Sequence, residues 1–274
     1  MMSRYYNYRT GMLIFLMSLI AFIVLMLTFY YNEAMMGNTP QAWRYIILGF
    51  FEAMLLIPLV LYVIGNRKSL KHAFRIRPLP PGSFRDILFT AVGMFFLVEL
   101  VNIAMRGLFH VDPAGAEHLR VLYPLNFILL FIVTVVVTPV VEEAVFRGYL
   151  LRVMFRNKYS PFLAILLSSL LFTFSHLSYW NAPAVFLAGM VLGYIAYKFY
   201  SIIPCIIIHA VFNLMVLIDI NIPQIRENIL YAKSFVVWAV MAGGILMLLM
   251  GLLNIRQNVH IHRKRRHEKE GSRL

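Results

Sequence analysis

Charge is scarce in this chain. Only 14% of the 274 residues are charged, where soluble domains average about 25%. Hydrophobic residues make up 61%, and the mean hydropathy is +0.76. That composition excludes a soluble globular fold and specifies an all-α, polytopic membrane bundle. Acidic residues are scarcer still, 12 against 25 Lys plus Arg, for a net charge of +13. In a soluble protein such an excess points to nucleic acid. Here it has a simpler cause, the retention of cations on the cytoplasmic side of a membrane, and no nucleic-acid partner is expected. Cysteine occurs once, at Cys205. That excludes an intrachain disulfide and any Cys-based zinc site. Cys205 lies in an apolar run and reads as an inert packing residue. The His-Glu-x-x-His zincin helix is absent. So is a visible internal repeat, which an inverted-repeat transporter would carry.

What is present is a series of long apolar runs. Residues 11–31 are uncharged and follow Arg4 and Arg9. They lack the shorter core and small-x-small site of a signal peptide, so a retained first helix is expected. Further spans are predicted at about 42–64, 84–105, 122–141, 161–176, 184–200, 202–218 and 234–254. Between the second and third lies a basic segment, 65–85, whose Pro78, Pro80 and Pro81 prevent a continuous helix. Loops are expected over 106–123 and 219–233, and a basic tail follows from Arg256. The organisation reads as three parts. Residues 1–119 hold the first three spans and a basic cytoplasmic loop. Residues 120–218 hold spans four to seven, and 219–274 hold the last span and tail. Eight spans put every Lys and Arg except Arg44, Arg106, Arg120, Arg226 and Lys233 on one side. Cytoplasmic termini follow from that asymmetry, and a bacterial plasma membrane is the expected location.

The stretch Pro139-Val-Val-Glu142-Glu143-Ala-Val-Phe-Arg147 closes the fourth run. An ionised group near a bilayer centre costs roughly 2.5–3.5 kcal/mol on insertion scales. Glu143 and Arg147 are four apart on one helix face and can pair. Glu142 lies about 100° round and points elsewhere. The bland reading ends the span at Val141, with the charges merely flanking it; a functional site requires the Glu142 helix to continue to about Arg156 and bring Arg147 into the bundle. His176 ends the fifth run and His209 sits within the seventh, with Phe172 and Asn213 one helical turn from them. Hydrolysis of a peptide bond needs a polarised water, a base, an acid for the leaving amine and an oxyanion donor. Glu142 can be the base, and His176 can hold the water. His209 can orient the carbonyl or protonate the amine, Asn213 can offer an amide N–H, and Glu143 with Arg147 can pin the helix. Glu142, His176 and His209 can also supply three ligands of a catalytic zinc with an open fourth position. The preferred expectation is a metal-free water activation with no cofactor. At 1.5 Å per residue, His176 lies about 22 Å into its span and His209 about 10 Å into its own. For them to meet, either the sixth-to-seventh turn is sunk into the protein or the fifth helix begins lower.

Glu142-Glu143-x-x-x-Arg147, Phe172-x-x-x-His176 and His209-x-x-x-Asn213 occur in that order, each on its own predicted span. Together they resemble the CPBP family of intramembrane proteases, which includes the CAAX prenyl endopeptidases and bacteriocin-processing or immunity proteins (the Abi domain). The resemblance covers about residues 120–217. It implies an integral-membrane endopeptidase acting on a membrane-associated or lipidated peptide or protein, with Glu142, Glu143, Arg147, His176, His209 and Asn213 as its site. Both metal-dependent and glutamate-based mechanisms belong to the family, so the cofactor stays open. The substrate stays open too, between a prenylated C-terminal peptide, a secreted precursor and a membrane-protein segment. The alternative is a non-catalytic membrane partner or immunity-type protein on the same fold; a third reading is a transporter with a proton-coupled Glu/His relay. Glu52 and Glu99, the other intramembrane carboxylates, read as structural groups, with a polar cavity as the alternative. His72, His110 and His118 fall in predicted loops. Arg263-Lys264-Arg265-Arg266 reads as a topology signal, and contact with anionic lipid would add about 1 kcal/mol per cation.

Overall fold

In hydrocarbon every backbone N–H and C=O must be paired within the protein, so apolar runs of this length wind as helices. The computed structural model describes residues 8–36, 41–109, 124–177, 181–222 and 235–271. It is helical, with no strand among the described residues. The elements are α1 (Tyr8–Met36), α2 (Gln41–Gly65), α3 (Leu70–Ala73) and α4 (Phe84–Phe109). A continuous run follows: α5 (Pro124–Phe131), a first π segment (Ile132–Val137), α6 (Thr138–Glu142), a second π segment (Glu143–Leu150) and α7 (Leu151–Arg156). Then come α8 (Pro161–Ser175), α9 (Ala182–Phe199), α10 (Ile203–Asn221) and α11 (Phe235–Gly271). Six helical stretches are long and apolar enough to cross a membrane, and Gly49–Gly65 and Pro161–Ser175 are shorter apolar helices. These eight correspond one to one with the eight expected spans. Large apolar side chains such as Met17, Phe162, Phe174 and Trp238 stand exposed, a liability in water and the normal face toward lipid.

Local chemistry sets the boundaries. Ser160 caps α8 by accepting from the Leu163 N–H at 3.3 Å, and Pro161 follows at the first turn, where its missing N–H costs nothing. Tyr200 ends α9 in a left-handed conformation, φ 52°. The next residues are Ser201, 1% exposed, and Ile202, 2% exposed. The turn into α10 is therefore buried in protein. The basic segment covers it: Ile202 N–H donates to the Arg75 carbonyl at 3.2 Å, and Ser201 Oγ bonds the backbone of Arg77 at 2.7 and 3.2 Å. Glycines bring helices close. A Cβ on Gly148 would stand 2.9 Å from the Phe74 carbonyl oxygen, and one on Gly193 would stand 2.9 Å from Ile165. Asp86 holds the end of α11 to α4 by accepting from Asn254 at 3.3 Å and Asn258 at 2.7 Å.

The helix of Glu142 continues to Arg156, as a functional site requires, within an apolar stretch from Phe127 to Arg156, so the glutamates sit near its middle and the bland reading fails. Every residue from 141 to 151 is buried, which a helix sustains only when neighbours surround it. Two expectations are corrected. Asp219 belongs to α10 and is buried rather than lying in a loop, as a carboxylate facing protein instead of lipid can be. The last helix continues past the expected limit at 254 to Gly271. His110, His118 and the side chains of the basic tail lie outside the described residues.

Candidate active site

The glutamates stand where the helix changes its winding. In the first π segment the Thr138 N–H donates to the Val133 carbonyl, five residues back. The next donor in that register would come from residue 139, which is proline and has no N–H. The Thr134 carbonyl therefore loses its partner within the helix. Asn213 of α10 replaces it, its Nδ2 donating to that oxygen at 2.7 Å. In the second π segment Leu151 N–H reaches back five residues to Phe146, and Ser168 Oγ of α8 donates to the same carbonyl at 3.2 Å. Wide turns of this kind concentrate at functional sites. Both are tied here to the helices that carry the histidines.

Glu143 and Arg147 are both fully buried and pair at 2.9 Å. Arg147 Nη2 also donates to the Gly189 carbonyl at 3.3 Å, and its guanidinium carbon lies 4.2 Å from the centre of the Phe172 ring. A buried charge needs partners of this kind, and even so Arg147 Nε and Glu143 Oε2 are buried without a hydrogen bond. His209 Nδ1 stands 3.0 Å from Glu143 Oε1, the oxygen that Arg147 also engages. A carboxylate oxygen accepts, so Nδ1 carries the proton and Nε2 is left with a lone pair. His176 repeats the arrangement. Its Nδ1 is 2.8 Å from the Phe172 carbonyl, which can only accept. Phe172 stacks edge-on between the two imidazoles, 4.6 Å from His176 and 6.2 Å from His209 by ring centres.

Both free Nε2 atoms face Glu142. His209 Nε2 is 3.7 Å from Oε2, and His176 Nε2 is 4.0 Å from Oε1. Those separations exceed a direct hydrogen bond. Glu142 Oε2 is buried and accepts no hydrogen bond, whereas the His176 side chain is 30% accessible. The site is thus closed on the Glu143–Arg147 side and open beside His176. The donor set has the chemistry of a zinc site, but no group of three His, Cys, Asp or Glu among the described residues is spaced to hold an ion.

Of the six residues singled out by sequence, five converge: Glu142, Glu143, Arg147, His176 and His209. Asn213 is adjacent, with one amide N–H committed to Thr134. Sequence reasoning named Phe172 beside His176 but passed over Gly189 and Thr134, whose backbone carbonyls no side-chain pattern announces. It also left Glu52 as a structural group. In the fold Glu52 of α2 lies within electrostatic reach of Glu142, and its Oε2 is buried with no hydrogen-bond partner. Its signal was its charge within an apolar span. Cys205 is buried, its thiol directed at the Leu192 carbonyl at 3.4 Å, as a packing residue requires.

Comparison with known proteins bears on this core. The family model for type II CAAX prenyl endopeptidases, described as Rce1-like, matches residues 124–215. No curated protein and no solved structure matches the chain. The matched segment starts at α5, ends within α10 and contains every residue of the constellation. Residues 124–215 of this integral membrane protein are therefore similar to the type II CAAX prenyl endopeptidases, which supports a CPBP/CAAX-type intramembrane protease.

Proposed function

We propose that the protein is an intramembrane endopeptidase that hydrolyses a peptide bond of a membrane-associated or lipidated substrate with a water activated by Glu142 and His176. The catalytic unit in this reading is 120–218, with the flanking spans as its support and both termini cytoplasmic. The observation that carries it is the convergence of two imidazole Nε2 atoms on one buried carboxylate, at 3.7 and 4.0 Å. A water between Glu142 and His176 gives one proton to Glu142 as its oxygen attacks the carbonyl carbon. The oxyanion is met by the remaining amide N–H of Asn213. Glu142 then passes the proton, through His209, to the leaving nitrogen. Glu143 beside Nδ1 supports the imidazolium that this transfer forms, and Arg147 holds Glu143 in place. The C–N bond breaks as the amine takes the proton, and the acyl half leaves as the carboxylic acid.

The decisive experiment is Glu142→Gln in purified, folded protein, assayed for cleavage of a native membrane substrate. The amide keeps size and shape but removes basicity. Turnover should fall about 10²–10⁴-fold with an unchanged unfolding midpoint, since an amide is easier to bury than a carboxylate. A fully active variant rejects the mechanism. A cellular phenotype that survives both Glu142→Gln and His176→Ala points instead to a binding or immunity role. Cleavage is expected to persist after exhaustive chelation. Loss of activity with zinc-specific rescue would transfer Glu142, His176 and His209 to a metal mechanism.

A further inference from the structure

Between Ala53 and Arg85 the chain has six cations and no acidic residue, and no acidic residue occurs between Ala144 and Ile218 either. The fold brings these two acid-free stretches together at one end of the bundle. The segment after α2 packs on α7 and on the α9–α10 turn. There the guanidinium of Arg75 is held over two rings, 5.1 Å from the centre of Phe155 and 5.5 Å from that of Tyr200. Its Nη1 is buried and makes no hydrogen bond. Burial foremost, then the like-charged Arg152 and Arg77, lower its pKa to about 10, while Tyr200 acts the other way. His72 feels the same set: Arg152 foremost, then burial, Arg77, Arg75 and Lys68, hold it below the ordinary imidazole value. Arg152 donates to the His72 backbone carbonyl and so ties α7 into the cluster.

Like charges gathered around a half-buried guanidinium raise the free energy of the fold unless something neutralises them. Arg75 sits at φ 55° as the residue that closes α3, with the next N–H, of Ile76, reaching back to the Lys71 carbonyl at 2.8 Å. This conformation turns the Arg75 carbonyl to Ile202 and leaves the side chain against the rings.

We infer that Arg75, Arg77 and Arg152 form a binding site for a phosphate-bearing anion, the headgroup of an anionic lipid. Guanidinium groups match phosphate oxygens through paired N–H donors. The position favours a lipid. The site lies where α2, α4, α7 and α9 begin or end, so it sits at headgroup depth. Exposed Leu70, Ile76, Tyr159 and Tyr200 surround the cations, and aromatic and aliphatic groups beside cations are what the membrane interface selects. Occupancy would fasten the basic segment over the buried Ser201–Ile202 turn, and through it the start of the helix that carries His209. The site needs no substrate and stands independently of the proposed proteolysis.

The test is thermal unfolding of the intact chain in nonionic detergent, titrated with dioctanoyl phosphatidylglycerol, dioctanoyl phosphatidylcholine or sodium phosphate at matched ionic strength. Phosphatidylglycerol should raise the midpoint saturably, as any ligand of the folded state does, and phosphatidylcholine should not. An equal rise with sodium phosphate would keep the site and make the free anion its ligand. Arg75→Gln should weaken the apparent affinity about tenfold or more, the loss expected for a charge-assisted hydrogen bond. Its midpoint without lipid should be equal or higher, because the variant no longer buries an uncompensated charge. If Arg75→Gln fails to fold, the pair Lys68→Gln and Arg77→Gln tests the same site from exposed positions. Lys264→Gln with Arg266→Gln removes two cations of the tail and should leave the affinity within threefold. No rise with either phosphate species, or equal losses in the site and tail variants, would overturn the assignment.

Discussion

Glu143 carries two donors on a single oxygen, Arg147 Nη1 and His209 Nδ1. Its other oxygen is buried without a hydrogen bond. Removing Arg147 therefore has two effects at once. Arg147→Ala leaves a buried carboxylate beside an imidazole alone, which should cost about 3–5 kcal/mol, the usual result of breaking a buried pair from one side. It also frees the Gly189 carbonyl and the face of Phe172. The expected outcome is a lower unfolding midpoint and less protein in the membrane as well as lost activity, measured beside Glu142→Gln, which should lose activity alone. An Arg147→Ala protein with wild-type stability would mean that Glu143 has another counterion. The pairing of Glu143 with Arg147 was readable from their four-residue spacing. The proton positions on His176 and His209 were not, because they follow from a backbone carbonyl at Phe172 and a carboxylate on another helix. Neither contact leaves a mark in the local sequence of either histidine.

Among the described elements, α4 and α11 share the most extensive contact, and glycine makes close approach possible there. A Cβ on Gly93 would land on the backbone nitrogen of Leu248, and one on Gly251 would stand 2.9 Å from the Asp86 carbonyl oxygen. Backbone cannot step aside as a flexible side chain can. Gly93→Ala should destabilise by about 1–3 kcal/mol through overpacking. Gly243, on the same α11, would have nothing within 4 Å of an added methyl group. Gly243→Ala should be neutral or gain up to about 1 kcal/mol of helix propensity. Unfolding midpoints of the two variants in one detergent check the contrast, and equal effects would refute it. Spans of this kind are legible in sequence, since length and apolarity decide them. Winding is not. Residues 132–137 and 143–150 have nothing in composition that separates a π turn from an α turn, and Pro139 was the lone hint, through its missing N–H. Depth was half legible: the spans put His176 and His209 at different levels, and their meeting around Glu142 appears only in the packing.

For the whole molecule, the orientation in the membrane follows from charge. The segment 65–85, the turn after Arg156 and the tail after Arg256 should face the cytoplasm together. Reporter fusions at Gly115 and after Arg273 should then report opposite sides; the same side for both would end the eight-span arrangement. The long central run adds something at this scale. Each π turn holds one residue more than an α turn of the same position in the helix, and the run has one on either flank of Glu142. A relative that winds this span as a plain α-helix must lack a residue at each place, or its glutamates would rotate away from the histidines by about 100° per missing position. Aligned with such a relative, the chain would show two one-residue gaps bracketing an ungapped Glu-Glu pair. Over 132–137 and 143–150 the heritable quantity is in part the number of residues, and drift in their identity leaves it untouched.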